Sequence, residues 1–156
     1  MIPIVQSTTF KYDTSEDMGK LFDLEESGYF YTRLANPTND YVAAKICALE
    51  GGSAAVLTSS GQAATFFSVF NIAGVGDHVV ASSTIYGGSF NLFAVTMKRM
   101  GVEFTFVDPD CSDEELEAAF RPNTKAVFGE TIANPALIVF DIERFANAAH
   151  AHGVPL

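Results

Sequence analysis

The chain has no tryptophan, two cysteines in 156 residues, and nine lysines and arginines against nineteen acidic residues. Each shortage closes off a class of function. A net charge of −10 leaves no basic footprint for nucleic acid or an anionic membrane, and both partners need one. Cys47 and Cys111 make neither a disulfide framework nor a metal pattern, which fits a reduced, cytoplasmic protein without a metal site. No apolar run reaches membrane-spanning length, and the opening MIPIVQSTTF lacks the charged start and cleavage site of a signal peptide. What is present is apolar: 48% of residues are hydrophobic and the mean hydropathy is +0.19. A domain of this length buries about 70% of its unfolded surface, enough for a core without staples.

Along the chain, helical and strand patterns alternate. TNDYVAAKICALEGG predicts a helix capped by Thr38 or Asn39, with Val42, Ile46 and Leu49 on one face and Gly51 as its stop. AAVLT, Ala54 to Thr58, predicts a short buried strand, and AATFFSVFNIAG a second helix. HVVAS, VEFTFVD and KAVFGE read as further strands. GGSFNLFAVTMKRMG, with Leu92, Val95, Thr96 and Arg99 at helical spacing, reads as a helix. In SDEELEAAF, Ser112 and Glu115 are spaced as a capping box. DIERFANAAHAHG predicts a last helix with Ile142, Phe145, Ala146 and Ala149 inward. This alternation predicts βαβ crossovers and a mostly parallel sheet.

Ligands of such sheets bind where strands turn into helices at their carboxyl ends. Three turns there carry unusual residues. In SSGQAA, Ser59 to Ala64, small residues and Gly61 let backbone N–H groups approach an anion at a helix start. The bland alternative is a tight turn with serine as cap. No lysine follows the glycine, so it is no Walker A loop, and the G-x-G-x-x-G spacing is absent. In STIYGGS, Tyr86 precedes two glycines, so its ring is either a stacking face or a structural turn residue. In ETIANPA, Glu130 and Asn134 either face one crevice or serve a satisfied loop. His150 and His152 lie two apart on a helix and cannot share a metal, and His78 reads as surface or structural. Neither cysteine has a visible activating partner.

QSTTFKYD, YTRLANPTNDYVAAKICALEGG, TSSGQAA, IYGGSFNLF and ETIANPAL occur together in one order. In that order the chain resembles the pyridoxal-phosphate (PLP) enzymes of cysteine and methionine metabolism, the transsulfuration family, from about residue 3 to 156. The resemblance implies an α/β chain of fold type I (aspartate-aminotransferase-like), forming part of the large, mostly parallel α/β/α domain. It implies an N-terminal arm and interface segment over 1–38 and a partial cofactor-binding domain over 39–156. Ser60, Gly61 and Gln62 would bind the cofactor phosphate, Tyr86 would stack on its ring, Asn134 would bond the ring hydroxyl oxygen, and Glu130 would support that site. Tyr31 and Arg33 would reach a neighbouring subunit's cofactor phosphate in a homo-oligomer, a dimer of dimers.

The implied reaction is that of the O-acetylhomoserine sulfhydrylase branch: γ-replacement of acetate by sulfide or methanethiol, giving homocysteine or methionine. Runners-up are cystathionine γ-synthase and the methionine or cystathionine γ-lyases. Methionine γ-lyases place a cysteine where this chain has Gly88. The resemblance matches none of Lys11, Lys20, Lys45, Lys98 and Lys125 to the Schiff-base lysine, so the chain is expected to be a catalytically incomplete portion of a longer enzyme. A reading from another class is a non-catalytic fragment that binds the cofactor or a partner subunit.

Overall fold

The computed structural model describes residues 2–156. They form two compact units, residues 2–58 and Ser59–Leu156.

In the first unit, Thr9 pairs with Tyr31 through an antiparallel bridge. The Thr32 N–H donates to the Thr8 carbonyl at 2.8 Å and the Phe10 N–H to the Phe30 carbonyl at 3.2 Å. Helix α1, Ser15–Phe22, is capped by Thr14, whose side chain accepts from the Asp17 N–H. Helix α2, Pro37–Glu50, begins earlier than expected, with Asn36 as its cap in place of Thr38 or Asn39. Proline suits the first helical position, where its missing N–H would have had no partner. Asn36 is buried and spends every polar atom: Oδ1 accepts from the Thr38 N–H, and Nδ2 donates to the Val5 carbonyl and Thr32 Oγ1. The expected apolar face of α2 is present but uncovered, since Val42, Ile46 and Leu49 are exposed and no α2 residue is buried. The strand expected at Ala54–Thr58 does not form. A strand exists only against a ladder partner, and no other segment pairs with this one among the described residues.

The second unit holds a parallel three-stranded sheet of order β2-β1-β3. Its strands are β1 His78–Ser82, β2 Glu103–Val107 and β3 Thr124–Phe128. Every residue of the central strand β1 is buried. Alternation along it builds two cores. Val79 and Ala81 join Val69, Phe93, Met97 and Ala126, while Val80 joins Leu116, Val127, Phe145 and Ala149. The first core holds helix α3 (Gly61–Phe70) and the pair formed by helix α4 (Gly87–Asn91) and a π-helical segment (Leu92–Met97). The second holds α5 (Asp113–Ala118) and α6 (Ile142–Ala151). The result is the layered α/β architecture that the alternation predicts.

Local details follow local chemistry. Both halves of the Ser112–Glu115 capping box are made. The π segment turns Phe93 and Met97 fully into the core and leaves Val95 exposed, because a π turn carries an extra residue and shifts the buried stripe. Ile142, expected inward, is exposed at the first position of α6, whereas Phe145 and Ala149 are buried. His78 is fully buried, with its two ring nitrogens 2.8 Å from Thr124 Oγ1 and Thr105 Oγ1. His152 stacks on Phe120 and meets Glu117 Oε1 at 2.8 Å, so it is tied into the fold, whereas His150 is exposed. Among the described residues no helix is long and apolar enough to cross a membrane, and no cluster could hold a metal ion.

Candidate functional site

Helix α3 starts at Gly61 because Ser60, in an extended conformation, turns its hydroxyl onto the Ala63 N–H at 3.1 Å. This cap leaves the amides of Gly61 and Gln62 without an intrahelical carbonyl. No acidic residue lies in the first turn, so the partial positive charge of the helix end is not cancelled locally. Gly61 and Gln62 are both exposed, and a side-chain carbon added at Gly61 would meet nothing within 4 Å, so this turn is open to solvent. Capping serine and anion cup are therefore compatible here: the side chain serves one donor and two others remain.

The turn after β1 carries Tyr86, whose ring is half exposed. Its backbone is fastened by a residue far away in sequence. Glu130, just beyond β3, accepts the Tyr86 N–H on Oε2 at 2.9 Å. Its Oε1 accepts a longer bond, 3.5 Å, from the hydroxyl of Ser89. Ser89 in turn accepts from Gln62 Nε2 at 3.3 Å. Gln62, Ser89, Glu130 and Tyr86 thus link the first turn of α3, the start of α4 and the end of β3. The tyrosine ring lies over Gly88, where an added side-chain carbon would fall 2.4 Å from the Tyr86 ring.

Of the residues singled out in the second unit, Ser60, Gly61, Gln62, Tyr86 and Glu130 are brought together. Asn134 is not. It sits in a loop closed by the Ile132–Val139 bridge and a bond from the Leu137 N–H to the Ala133 carbonyl, and its side chain is exposed and unbonded to Glu130. In the first unit, the Tyr31 carbonyl accepts from the N–H groups of Leu34 and Ala35, forming a turn that leaves Arg33 exposed. The Arg33 guanidinium lies 5.3 Å from the centre of the Tyr31 ring, and no carboxylate pairs with it among the described residues.

Two features escaped the sequence. Ser89 is 3% exposed and central to the network, yet a serine after two glycines looks like ordinary turn chemistry. Cys111 does have a cationic neighbour, Arg144 Nη2 at 4.0 Å, brought by α6 from 33 residues away.

The arrangement of the second unit offers free helix-end amides for a phosphate and an open aromatic face with a fixed backbone for a planar ring. Residues 1–156 match the pattern of the family described as Cys/Met metabolism PLP-dependent enzyme. The chain is 48% identical to an O-acetyl-L-homoserine sulfhydrylase of Corynebacterium glutamicum, over 99% of this chain and 36% of that protein. It is 45% identical to an L-methionine gamma-lyase of Fusobacterium nucleatum, over 97% of this chain and 38% of that protein. A crystal structure from Campylobacter jejuni, described as an O-acetylhomoserine (thiol)-lyase with N'-pyridoxyl-lysine-5'-monophosphate, superposes with a TM-score of 0.88 at 36% identity. That match covers 98% of this chain and 37% of the other. The chain therefore spans little more than a third of the length of these relatives, and matched along its whole sequence it belongs to the Cys/Met metabolism PLP-dependent enzyme family.

Proposed function

We propose that this chain forms the phosphate cup, ring platform and partner-directed arm of a PLP enzyme performing γ-replacement on O-acetylhomoserine. Sulfide would give homocysteine, methanethiol would give methionine, and acetate would leave in either case. The observation that carries the reading is the open first turn of α3, free of acidic residues and hydrogen-bonded through Gln62 and Ser89 to the clamp on Tyr86. The likeness to a sulfhydrylase over nearly the whole chain supports the choice of branch.

In this reading the Gly61 and Gln62 amides, with Ser60, hold the cofactor phosphate. Tyr86 presents its ring to the cofactor ring, and Glu130 holds the Tyr86 backbone at a fixed height. Asn134 bonds the ring hydroxyl oxygen. Tyr31 and Arg33 serve the phosphate of a neighbouring copy, where a guanidinium suits a phosphate by charge and fork geometry. When bound, the cofactor supplies the electron sink of the reaction. Small-molecule substrates and a homo-oligomer are the partners of this reading.

A second reading has its own observation. Both lysines of the second unit stand away from the carboxyl ends of the strands: Lys125 is the second residue of β3 and lies 3.9 Å from Asp77, and Lys98 directly follows the π-helical segment, ahead of Glu103, the first residue of β2. Alone, this chain would hold the cofactor through its phosphate and ring, without a covalent bond. The test is a PLP titration followed by absorbance, borohydride reduction and intact mass. Binding that is competed by inorganic phosphate and leaves no lysine-specific adduct is expected. A single adduct on one lysine would overturn the non-covalent reading, and absence of phosphate-competed binding would overturn the cup. A product assay in the full chain separates homocysteine, cystathionine and α-keto acid as products, and hence the branch from its lyase and synthase relatives.

A further inference from the structure

We infer that Ser89 is a positioning residue that couples occupancy of the phosphate cup to the fixation of Tyr86. The inference rests on the reading of the α3 first turn as that cup. Ser89 touches neither phosphate nor ring in this reading, yet it stands between the groups that do. Its hydroxyl is buried and has two partners of complementary kind, the Gln62 amide as donor and the Glu130 carboxylate as acceptor. A hydroxyl is the smallest group able to accept from one and donate to the other. The other oxygen of Glu130 is committed to the Tyr86 N–H at 2.9 Å. A chain of hydrogen bonds thus runs from the first turn of α3 to the backbone of the ring-bearing residue.

The bond from Ser89 to Glu130 is the weak link, at 3.5 Å, and Gln62 is exposed, so its side chain has water as an alternative partner. A phosphate on the amides of Gly61 and Gln62 would order the first turn and favour the conformer in which Nε2 reaches Ser89. That orients the hydroxyl hydrogen toward Glu130 and strengthens its hold on Tyr86. Coupling of this kind is reciprocal, so a ring held at Tyr86 would also tighten the phosphate.

The experiment follows amide hydrogen exchange of Gly61, Gln62 and Tyr86 with and without inorganic phosphate, which cannot stack on the tyrosine. It uses wild type, Ser89→Ala and Ser89→Thr. Phosphate is expected to slow exchange at Gly61 and Gln62 in all three proteins. It is expected to slow Tyr86 about fivefold to tenfold in wild type and in Ser89→Thr, the range that one net hydrogen bond supports. In Ser89→Ala the Tyr86 response should vanish while the Gly61 and Gln62 responses persist. Protection of Gly61 and Gln62 without any effect at Tyr86 in wild type overturns the coupling and leaves the cup standing. No response at Gly61 and Gln62 overturns the cup and the inference together. If Ser89→Ala does not fold, Gln62→Leu breaks the same bridge from its exposed end: the Tyr86 response should vanish there too, and its persistence overturns the inference.

Discussion

Two glycines of the second unit face aromatic rings, and the nature of each ring decides what a methyl group would do there. At Gly88 an added carbon would lie 2.4 Å from Tyr86, whose ring is half exposed and can swing away. At Gly129 it would lie 2.5 Å from Phe140, which is 6% exposed and packed against Phe145. Gly129→Ala is therefore expected to cost about 1–3 kcal/mol by overpacking, read as a lower urea midpoint. Gly88→Ala should stay within about 0.5 kcal/mol of wild type, as surface changes do. Its effect belongs to the ligand: PLP should bind more weakly in an absorbance titration while inorganic phosphate binds unchanged. Equal losses for both ligands would show that Gly88 shapes the whole turn and not the ring alone.

At the scale of elements, His78 joins all three strands, since it belongs to β1 and bonds Thr105 of β2 and Thr124 of β3. Burial foremost, with the nearby Arg121 charge adding to it and Glu103 opposing, lowers its pKa from 6.5 to about 4. The folded state thus keeps this ring neutral over a range in which the unfolded chain takes up a proton. The stability contribution is complete above pH 6.5, falls as pH drops toward about 4, and is constant below that. Carboxylates titrate in part of the same window, so the comparison is with His78→Gln. Urea midpoints of wild type should fall more steeply than those of the variant between those pH values. Parallel curves would mean that the ring is protonated within the fold. The neighbouring Asp77–Lys125 pair, 3.9 Å apart and partly exposed, adds little to this balance.

For the whole molecule, charge and apolar surface oppose each other. A net charge of −10 repels a second copy, while α2 presents Tyr41, Val42, Ile46 and Leu49 to solvent. Contiguous apolar surface of this kind is what subunit contacts are built from. Self-association is expected to rise with added salt, which screens the repulsion and leaves the apolar contact intact. Sedimentation velocity should show this shift in wild type and a loss of it in Ile46→Glu. A monomer at every salt concentration would remove α2 as a subunit contact.

Much of the second unit was legible because its signals are local. Ser60 and Ser112 cap their helices through partners three residues away. The alternation of HVVAS, VEFTFVD and KAVFGE with helical runs required a parallel sheet, since only crossover helices connect strands in that order. The turns SSGQAA, STIYGGS and ETIANPA stood out by their residues, but it was the resemblance that implied one site of Ser60, Gly61, Gln62, Tyr86, Glu130 and Asn134. What the sequence could not yield depended on partners distant along the chain. Ala54–Thr58 has the residues of a strand and lacks a ladder to join. The α2 stripe was visible, but not that it would remain uncovered. Ser89 and Glu130 lie 41 residues apart, and Arg144 lies 33 from Cys111, so their meetings are products of the fold. By itself the sequence determined the strands and most helices of the second unit and the Ser60 and Ser112 caps, because hydrogen-bond spacing and side-chain periodicity act within a few residues, and its ordered motifs carried the family resemblance. Tertiary structure alone decided which faces were buried and that a serine would bridge two loops, because burial and long-range hydrogen bonds exist only once separate segments share one space.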